Sequence, residues 1–391
     1  DYTRYNAQSN LDADITDNLT LSVDIQMSFE NRMFPHRNPG NGSAFWQDFY
    51  RTRPWFPAEF PDKTKVPWGG IDVGGIHTTS NIDLMGYRSS KSKDLRGIAR
   101  LTYDLPWVDG LQANATLNFN TGDAFSKNFQ KPIDFYTWNP NTDVYTMAAS
   151  FQQDQLSEQI YRSTVLTQQY SLSYNRLFND DHRVSALALA ELIDYQDNFM
   201  SANRNNLLSP TIEQLFIGST IGMGNNGGAS EMGRMSYVGR LNYSFKDRYL
   251  IETILRADAS AKFPEDQRWG YFPSVSMGSR KSQEGFMSSL DFLDQLKLRA
   301  SVGQSGNDAV GNFQYLSGYS VRGSRIFDEG QYPGIYVTGL ANPYLTWEVM
   351  TIYNGGVDFA LFNGALYGTV EGFYRERTGI PATRASSLPS T

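Results

Sequence analysis

Apolar and polar residues alternate with period two through most of this chain, and that period belongs to strands, not helices. Tyr5, Ala7, Ser9, Leu11, Ala13 and Ile15 fall on one face, while Asn6, Gln8, Asn10, Asp12 and Asp14 fall on the other. After the turn Asp17-Asn18 the pattern resumes. Leu19, Leu21, Val23, Ile25, Met27 and Phe29 then oppose Thr20, Ser22, Asp24, Gln26, Ser28 and Glu30. Similar pairs are predicted for 95–105 with 111–119, 164–176 with 183–193, 236–245 with 249–258, 269–280 with 295–302 and 347–361 with 366–375. The last pair turns at Asn363-Gly364, a strong hairpin signal. About a dozen strands result, each near the ~10 residues of a tilted membrane strand.

A soluble β-sandwich also alternates, so other features must separate it from a membrane barrel. These strands exceed the ~5–6 residues usual in soluble proteins. The connections also alternate in length. Short turns follow residues 15, 105, 178, 245 and 362, and long loops are expected at about 31–94, 120–163, 197–232 and 304–344, with 259–268 intermediate on the long side and 281–294 long on the short side. Short turns at one rim and long loops at the other are the habit of outer-membrane barrels. Aromatics also crowd strand ends, at Phe29, Trp107, Phe119, Phe178, Phe245, Tyr249, Trp269, Trp347, Phe359 and Phe362. An amphipathic ring at such a position suits the headgroup level. No stretch reaches the ~18 apolar residues of a membrane helix. The fold class expected is therefore all-β, an antiparallel up-and-down transmembrane barrel of which this chain supplies a part.

Face assignment follows from that choice. The apolar rows would meet lipid. Asp12, Asp14, Asp24, Arg96, Arg100, Arg240, Glu252, Arg256, Lys297, Arg299, Glu371 and Arg375 would meet a wet lumen or a polar plug. The composition agrees: only 40% of residues are hydrophobic and 19% charged, while 23 Tyr and 24 Phe enrich the strand formers. A net charge of −7 argues against nucleic acid. The chain has no cysteine, which excludes disulfides, thiol catalysis and metal–thiolate sites. It starts at Asp1 already reading as a strand, and it ends in a loop-like Ser386–Thr391. An internal piece of a longer protein is expected.

Several strings resemble the SusC/RagA family of TonB-linked outer-membrane proteins. They are Ser236–Leu250, Arg256–Phe263, Arg268–Gly278, Leu296–Asn307 and Leu345–Glu348, with Ser126–Pro132 upstream. The resemblance covers nearly the whole chain and is densest from 233 to 307. It implies a larger barrel occluded by an N-terminal plug and capped by a SusD-like surface lipoprotein lid. It also implies energy from the TonB system, and a place in the outer membrane of a Gram-negative, Bacteroidota-like bacterium. The plug, the TonB-contacting segment and the last strands are expected in the intact protein rather than in this chain. Active import of oligosaccharides or oligopeptides is the function implied, with outer-membrane lipid as a further partner. A passive porin is the alternative, and a soluble sugar-binding β-domain a third reading.

No catalytic constellation emerges, and no cofactor or metal is expected. His36, His77 and His182 lie far apart, without metal-ligand spacing. Gly222–Gly228 lacks the Lys-Ser/Thr of a phosphate loop. Candidate ligand or lid contacts instead sit in the outer loops. Trp46, Arg51, Arg53, Trp55 and Trp68 share the first long loop, and Tyr136 and Trp138 the second. Rings can stack on sugar faces or peptide side chains, and Arg supplies forked donors. Packing within their own loops, or contact with the lid protein, is the favoured reading for these residues over direct ligand contact.

Overall fold

The computed structural model describes residues 1–36, 57, 59–68, 85–151, 153–287, 289–327, 330–337 and 341–381. Seventeen strands occur among them: β1 (Tyr2–Thr16), β2 (Leu19–Pro35), β3 (Val66–Pro67), β4 (Gly86–Asp104), β5 (Leu111–Gln130), β6 (Ile133–Asn139), β7 (Val144–Phe151), β8 (Gln155–Phe178), β9 (His182–Asn205), β10 (Gly224–Phe245), β11 (Tyr249–Ser260), β12 (Trp269–Arg280), β13 (Leu293–Asn307), β14 (Tyr319–Phe327), β15 (Gly330–Val337), β16 (Glu348–Leu361) and β17 (Leu366–Thr378). Twelve of them form one sheet in the order β1-β2-β4-β5-β8-β9-β10-β11-β12-β13-β16-β17. Each joins the next antiparallel, and the sheet does not close on itself. This is the up-and-down order expected, with the expected dozen strands.

Register carries the two-face pattern from strand to strand. Leu21 lies opposite Leu101, Leu101 opposite Ala115, Ala115 opposite Tyr170, Tyr170 opposite Ala190, and Ala190 opposite Tyr237. A slip by one residue would turn every one of these side chains to the other face. The apolar row does not form a core. Leu117 is 47% exposed and Leu298 is 40% exposed, and their neighbours on the same face are exposed or half-buried. In water such a face would be an aggregation surface; against hydrocarbon it is the correct solvent contact. A surface recess of about 710 Å³ lies on this outward face beside Ala113, Ala115, Ala188, Ala190 and Gly239. Small side chains between large ones create it, so it is a space for acyl chains and not a polar substrate site.

The opposite face is polar and cross-linked. Thr20 donates to Asp14 (2.9 Å), Gln112 to Asp104 (2.9 Å) and Thr102 to Asn114 (2.9 Å). Arg96 donates to Asn120 (2.9 Å), and Gln169 to Glu191 (2.6 Å). Arg299 reaches Glu371 (2.6 Å) and Asp358 (3.4 Å). The charges assigned to the lumen lie on this face. Each cross-strand bond satisfies a polar group that would otherwise need water or a plug.

The strands run further than expected. β8 and β9 are 24 residues each, more than twice the ~9–11 that a tilted strand needs to cross. The expected loops at 31–94, 120–163, 197–232 and 304–344 therefore contract to 36–85, 131–154, 206–223 and 308–347. The reason lies on the outward face. Along β9 it reads Val184, Ala186, Ala188, Ala190, Leu192 and then Asp194, Gln196, Asn198. Beyond the apolar band each face mixes polar with apolar residues, as at Tyr195, Asp197, Phe199 and Met200, so the sequence loses its alternation while the backbone keeps its ladder.

The true cores sit at the long-loop rim. Phe263, Phe272, Leu345 and Trp347 form one buried cluster. Trp347 is therefore no girdle residue: its ring lies 5.3 Å from Phe263 and 5.4 Å from Phe272, and its Nε1 donates to the Arg268 carbonyl (2.8 Å). Gly306 is required there, because a Cβ would fall 2.0 Å from the Phe272 ring. Beside this cluster Asp308 accepts from Arg234 Nη2 on both carboxylate oxygens (2.6 Å each) and from Ser260 Oγ (2.8 Å). Lys262 donates to the Asp308 carbonyl (3.0 Å). Burial pushes the Asp308 carboxyl up, but the Arg234 and Ser260 hydrogen bonds and both nearby cations outweigh it and hold it below its ordinary value. Residues from four of the strings that resemble SusC/RagA, namely Phe263, Phe272, Gly306 and Leu345 with Trp347, meet in this cluster, and the Asp308 staple beside it ties the start of 308–347 to β10 and β11.

Two outcomes follow. Leu172→Arg, on the outward face, should cost about 2–4 kcal/mol in lipid, whereas Ser171→Arg, one residue away on the inner face, should cost less than about 1 kcal/mol. Denaturant unfolding of the complete protein from liposomes measures both. Asp308→Asn should weaken the local anchor by about 1–3 kcal/mol, seen as faster amide exchange at 308–316 with β4–β9 unchanged. Because the folded carboxyl is held low, the wild-type anchor is at full strength above the ordinary carboxylate range. It should loosen only as pH falls through the depressed value.

Candidate outer-rim site

The long-loop rim gathers the packed units that the connections form among the described residues. A three-stranded sheet rises from it: β3 pairs parallel with β6, and β6 pairs antiparallel with β7. Val66, Met85 and Phe135 are buried in its core, with Trp68, Ile133 and Ala149 packed on them. The Trp68 ring lies 6.0 Å from Phe135, and its backbone N–H donates to the Tyr136 carbonyl (2.8 Å). Trp138 stacks on Tyr145 at 6.2 Å with Phe60 tilted alongside at 6.1 Å, and its Nε1 donates to Asp143 (3.0 Å). Lys65 places its ammonium 4.5 Å from the centre of the Tyr136 ring.

The structure thus brings Trp68, Tyr136 and Trp138 onto one small sheet. Both Trp rings pack within it; Tyr136 offers a ring already capped by a cation. Trp46, Arg51, Arg53 and Trp55 lie outside the described residues. His36 directly follows β2 in a buried position, with its Nδ1 2.6 Å from Asn128 Oδ1. Burial lowers its pKa, partly offset by that hydrogen bond, so the ring is neutral at pH 7.

A second rim unit covers the ends of β4, β5 and β8. Phe129, Leu156, Leu207 and Ile217 are buried together, with Tyr87 and Leu215 against them. The Leu207 N–H donates to both oxygens of Asp154 (3.1 and 3.0 Å), and Lys127 Nζ donates to the Glu213 carbonyl (2.7 Å). The Tyr87 hydroxyl donates to the Glu213 carboxylate. Burial first, then Glu213, raises the Tyr87 pKa, so this donor stays protonated. These contacts leave other apolar side chains of the same segment in solvent: Leu208, Phe216 and Ile221 are 90%, 78% and 83% exposed. Tyr344, in the last connection, is 82% exposed. None of the four was singled out from the sequence. Their signal was apolar residues set in Ser/Gly/Thr-rich loop with no alternation to bury them.

Below the rim the polar face carries two recesses. One of about 440 Å³ is lined by Arg4, Gln26, Glu30, Asp94, Arg96 and Asn120. The other, about 460 Å³, is lined by Arg183, Asn242, Glu252, Lys297, Arg299 and Asn354. Mixed charge and amide groups at this density suit hydrogen-bonding cargo or a polar plug. Among the described residues no group of three or more His, Asp or Glu lies close enough to hold a metal.

Comparison with known proteins places this geometry. The sequence profile described as "TonB dependent receptor-like, beta-barrel" matches residues 36–391. "TonB-dependent receptor SusC" of Bacteroides thetaiotaomicron is 38% identical over 149 residues, which is 36% of this chain and 14% of that protein. "TonB-dependent receptor P39" of Formosa agariphila is 30% identical over 204 residues, 52% of this chain and 19% of that protein. The solved "RagAB peptide transporter" superposes on 96% of this chain and 40% of its own, with a TM-score of 0.73 at 20% identity. The matched segments therefore span less than a fifth of the curated relatives and two fifths of the solved chain. The chain belongs to the TonB-dependent receptor family of outer-membrane β-barrels, with SusC/RagA-like sequence and fold.

Proposed function

We propose that the complete protein is an energised importer of oligosaccharides or oligopeptides that works with a SusD-like surface lipoprotein. The observation that carries this reading is the division of labour along each strand. A band of about nine residues suits hydrocarbon, and the strand then continues outward into packed rim units that still expose apolar side chains. A plain pore has no need of such a raised, apolar rim; a barrel that seats a lid does. Relatives described as receptors and a solved peptide transporter support the same reading. The wall supplies polar contacts and no bond-making group.

Within this reading the rim residues divide. Phe216, Ile221 and Tyr344 contact the lid. Tyr136, with Trp46, Arg51, Arg53 and Trp55, contacts cargo or lid, and Trp68 and Trp138 hold the small sheet that presents Tyr136. TonB acts through a plug, and the choice between glycan and peptide is made by the cargo-facing loops.

Uptake of the native cargo should stop when TonB is deleted, and the complete protein should show no steady conductance in planar bilayers. Steady conductance without TonB would make it a porin. Phe216→Ala combined with Ile221→Ser and Tyr344→Ala should weaken co-purification of the lipoprotein by about tenfold or more while leaving barrel unfolding unchanged. Trp138→Ala should instead accelerate amide exchange across β6 and β7, because it removes a stacked ring from a small core, at about 3 kcal/mol.

A further inference from the structure

The outward face of β4 changes character within two residues. From the short turn upward it presents Tyr103, Leu101, Ala99, Gly97 and Leu95, and then Lys93 and Lys91. No register shift interrupts β4 against either neighbour, so the two lysines share the face of the apolar row. Both are exposed, and neither forms an ion pair among the described residues. Lys93 lies opposite Phe29 on β2 and Asp123 on β5. Asp123 is already engaged: Arg162 Nε of β8 donates to it at 2.7 Å. Three cations therefore face outward against one carboxylate, directly at the border of the apolar band.

This excess is local. At the matching border on β9 and β10 the outward residues are Asp194 and Glu231. A cationic patch at that depth meets the headgroup layer, where anionic lipid attracts Lys and Arg. The long connections lie at this end of the strands, and in outer-membrane barrels that end faces outside. We propose that Lys91 and Lys93, with Arg162 beside them, hold the phosphate of an outer-leaflet lipid whose acyl chains lie along the apolar row of β2, β4 and β5. Two features favour a lipid over a soluble anion. The cations adjoin hydrocarbon-facing Leu95 and exposed Phe29, and the patch is an open wall rather than an enclosed cradle. The site depends on the outward-face assignment and is independent of what the protein imports.

The test uses the complete protein in nanodiscs of phosphatidylcholine doped with diphosphorylated lipid A, followed by extraction and native mass spectrometry. Wild-type protein should retain lipid A in preference to phosphatidylcholine. Lys91→Gln with Lys93→Gln should lower that retention about tenfold, in line with the attraction per cation near a charged surface. The double Arg variant should keep it. Both variants alter exposed side chains, and their heat-modifiable migration on gels reports that the barrel is folded. Undiminished retention in the Gln variant, or no preference in the wild type, would overturn the proposal. Displacement of the retained lipid A by inorganic phosphate alone would also overturn it, by making the patch a site for soluble anions.

Discussion

A strand in hydrocarbon has no water to satisfy its N–H and C=O groups, so each must find another strand. That demand organises everything else in this chain. Each strand of the twelve-stranded sheet runs antiparallel to the next, joined mostly by short turns at one rim, with 281–292 the exception, and by longer connections at the other. Once the ladder is compulsory, side chains fall on two faces by geometry alone. Chemistry then decides which face meets lipid: Leu, Ala, Tyr and Gly on one, and Arg, Asp, Glu, Asn and Thr on the other.

The ladder outlasts the membrane, and this shapes the outer rim. Above the apolar band the same strands continue with polar residues on both faces, and the connections between them fold into small units with dry interiors. Phe263, Phe272 and Trp347 form one such interior, Phe129, Leu156 and Ile217 a second, and Val66 and Phe135 a third. The barrel wall thus has no core of its own, because lipid and lumen take its two faces. Among the described residues the buried hydrophobic clusters sit at the rim, where loops must hold a shape against water. Asp308 illustrates how: one carboxylate gathers Arg234 and Ser260 from neighbouring strands, and its own carbonyl receives Lys262.

Much of this could be read from the residues. The pairs around Asp17-Asn18, Asn179–His182, Lys246–Arg248 and Asn363-Gly364 all appear in register, and the charged residues assigned to the lumen lie on the inner face. What escaped did so for physical reasons. The upper halves of β8, β9 and β10 carry polar residues on both sides, so a strand there has no amphipathic signature. Trp347 sits at a strand end like a girdle ring, yet its indole is turned into a loop core that only distant residues complete. For Trp68 and Trp138 the sequence leaves loop packing and outside contact both open, because their partners, Phe135 and Tyr145, join them only through the pairing of short strands. Phe216, Ile221 and Tyr344 carried no pattern at all; their exposure is a property of how the rim packs.

The central claim is that hydrocarbon wets alternate residues of each strand. The chain has no cysteine, so single cysteines can be placed along β8 from Leu166 to Tyr174 and spin-labelled in the complete protein in liposomes. Collision with oxygen, which concentrates in lipid, should peak at 166, 168, 170, 172 and 174, and collision with a water-soluble nickel chelate should not. A flat profile, or oxygen maxima at 167, 169, 171 and 173, would contradict the account.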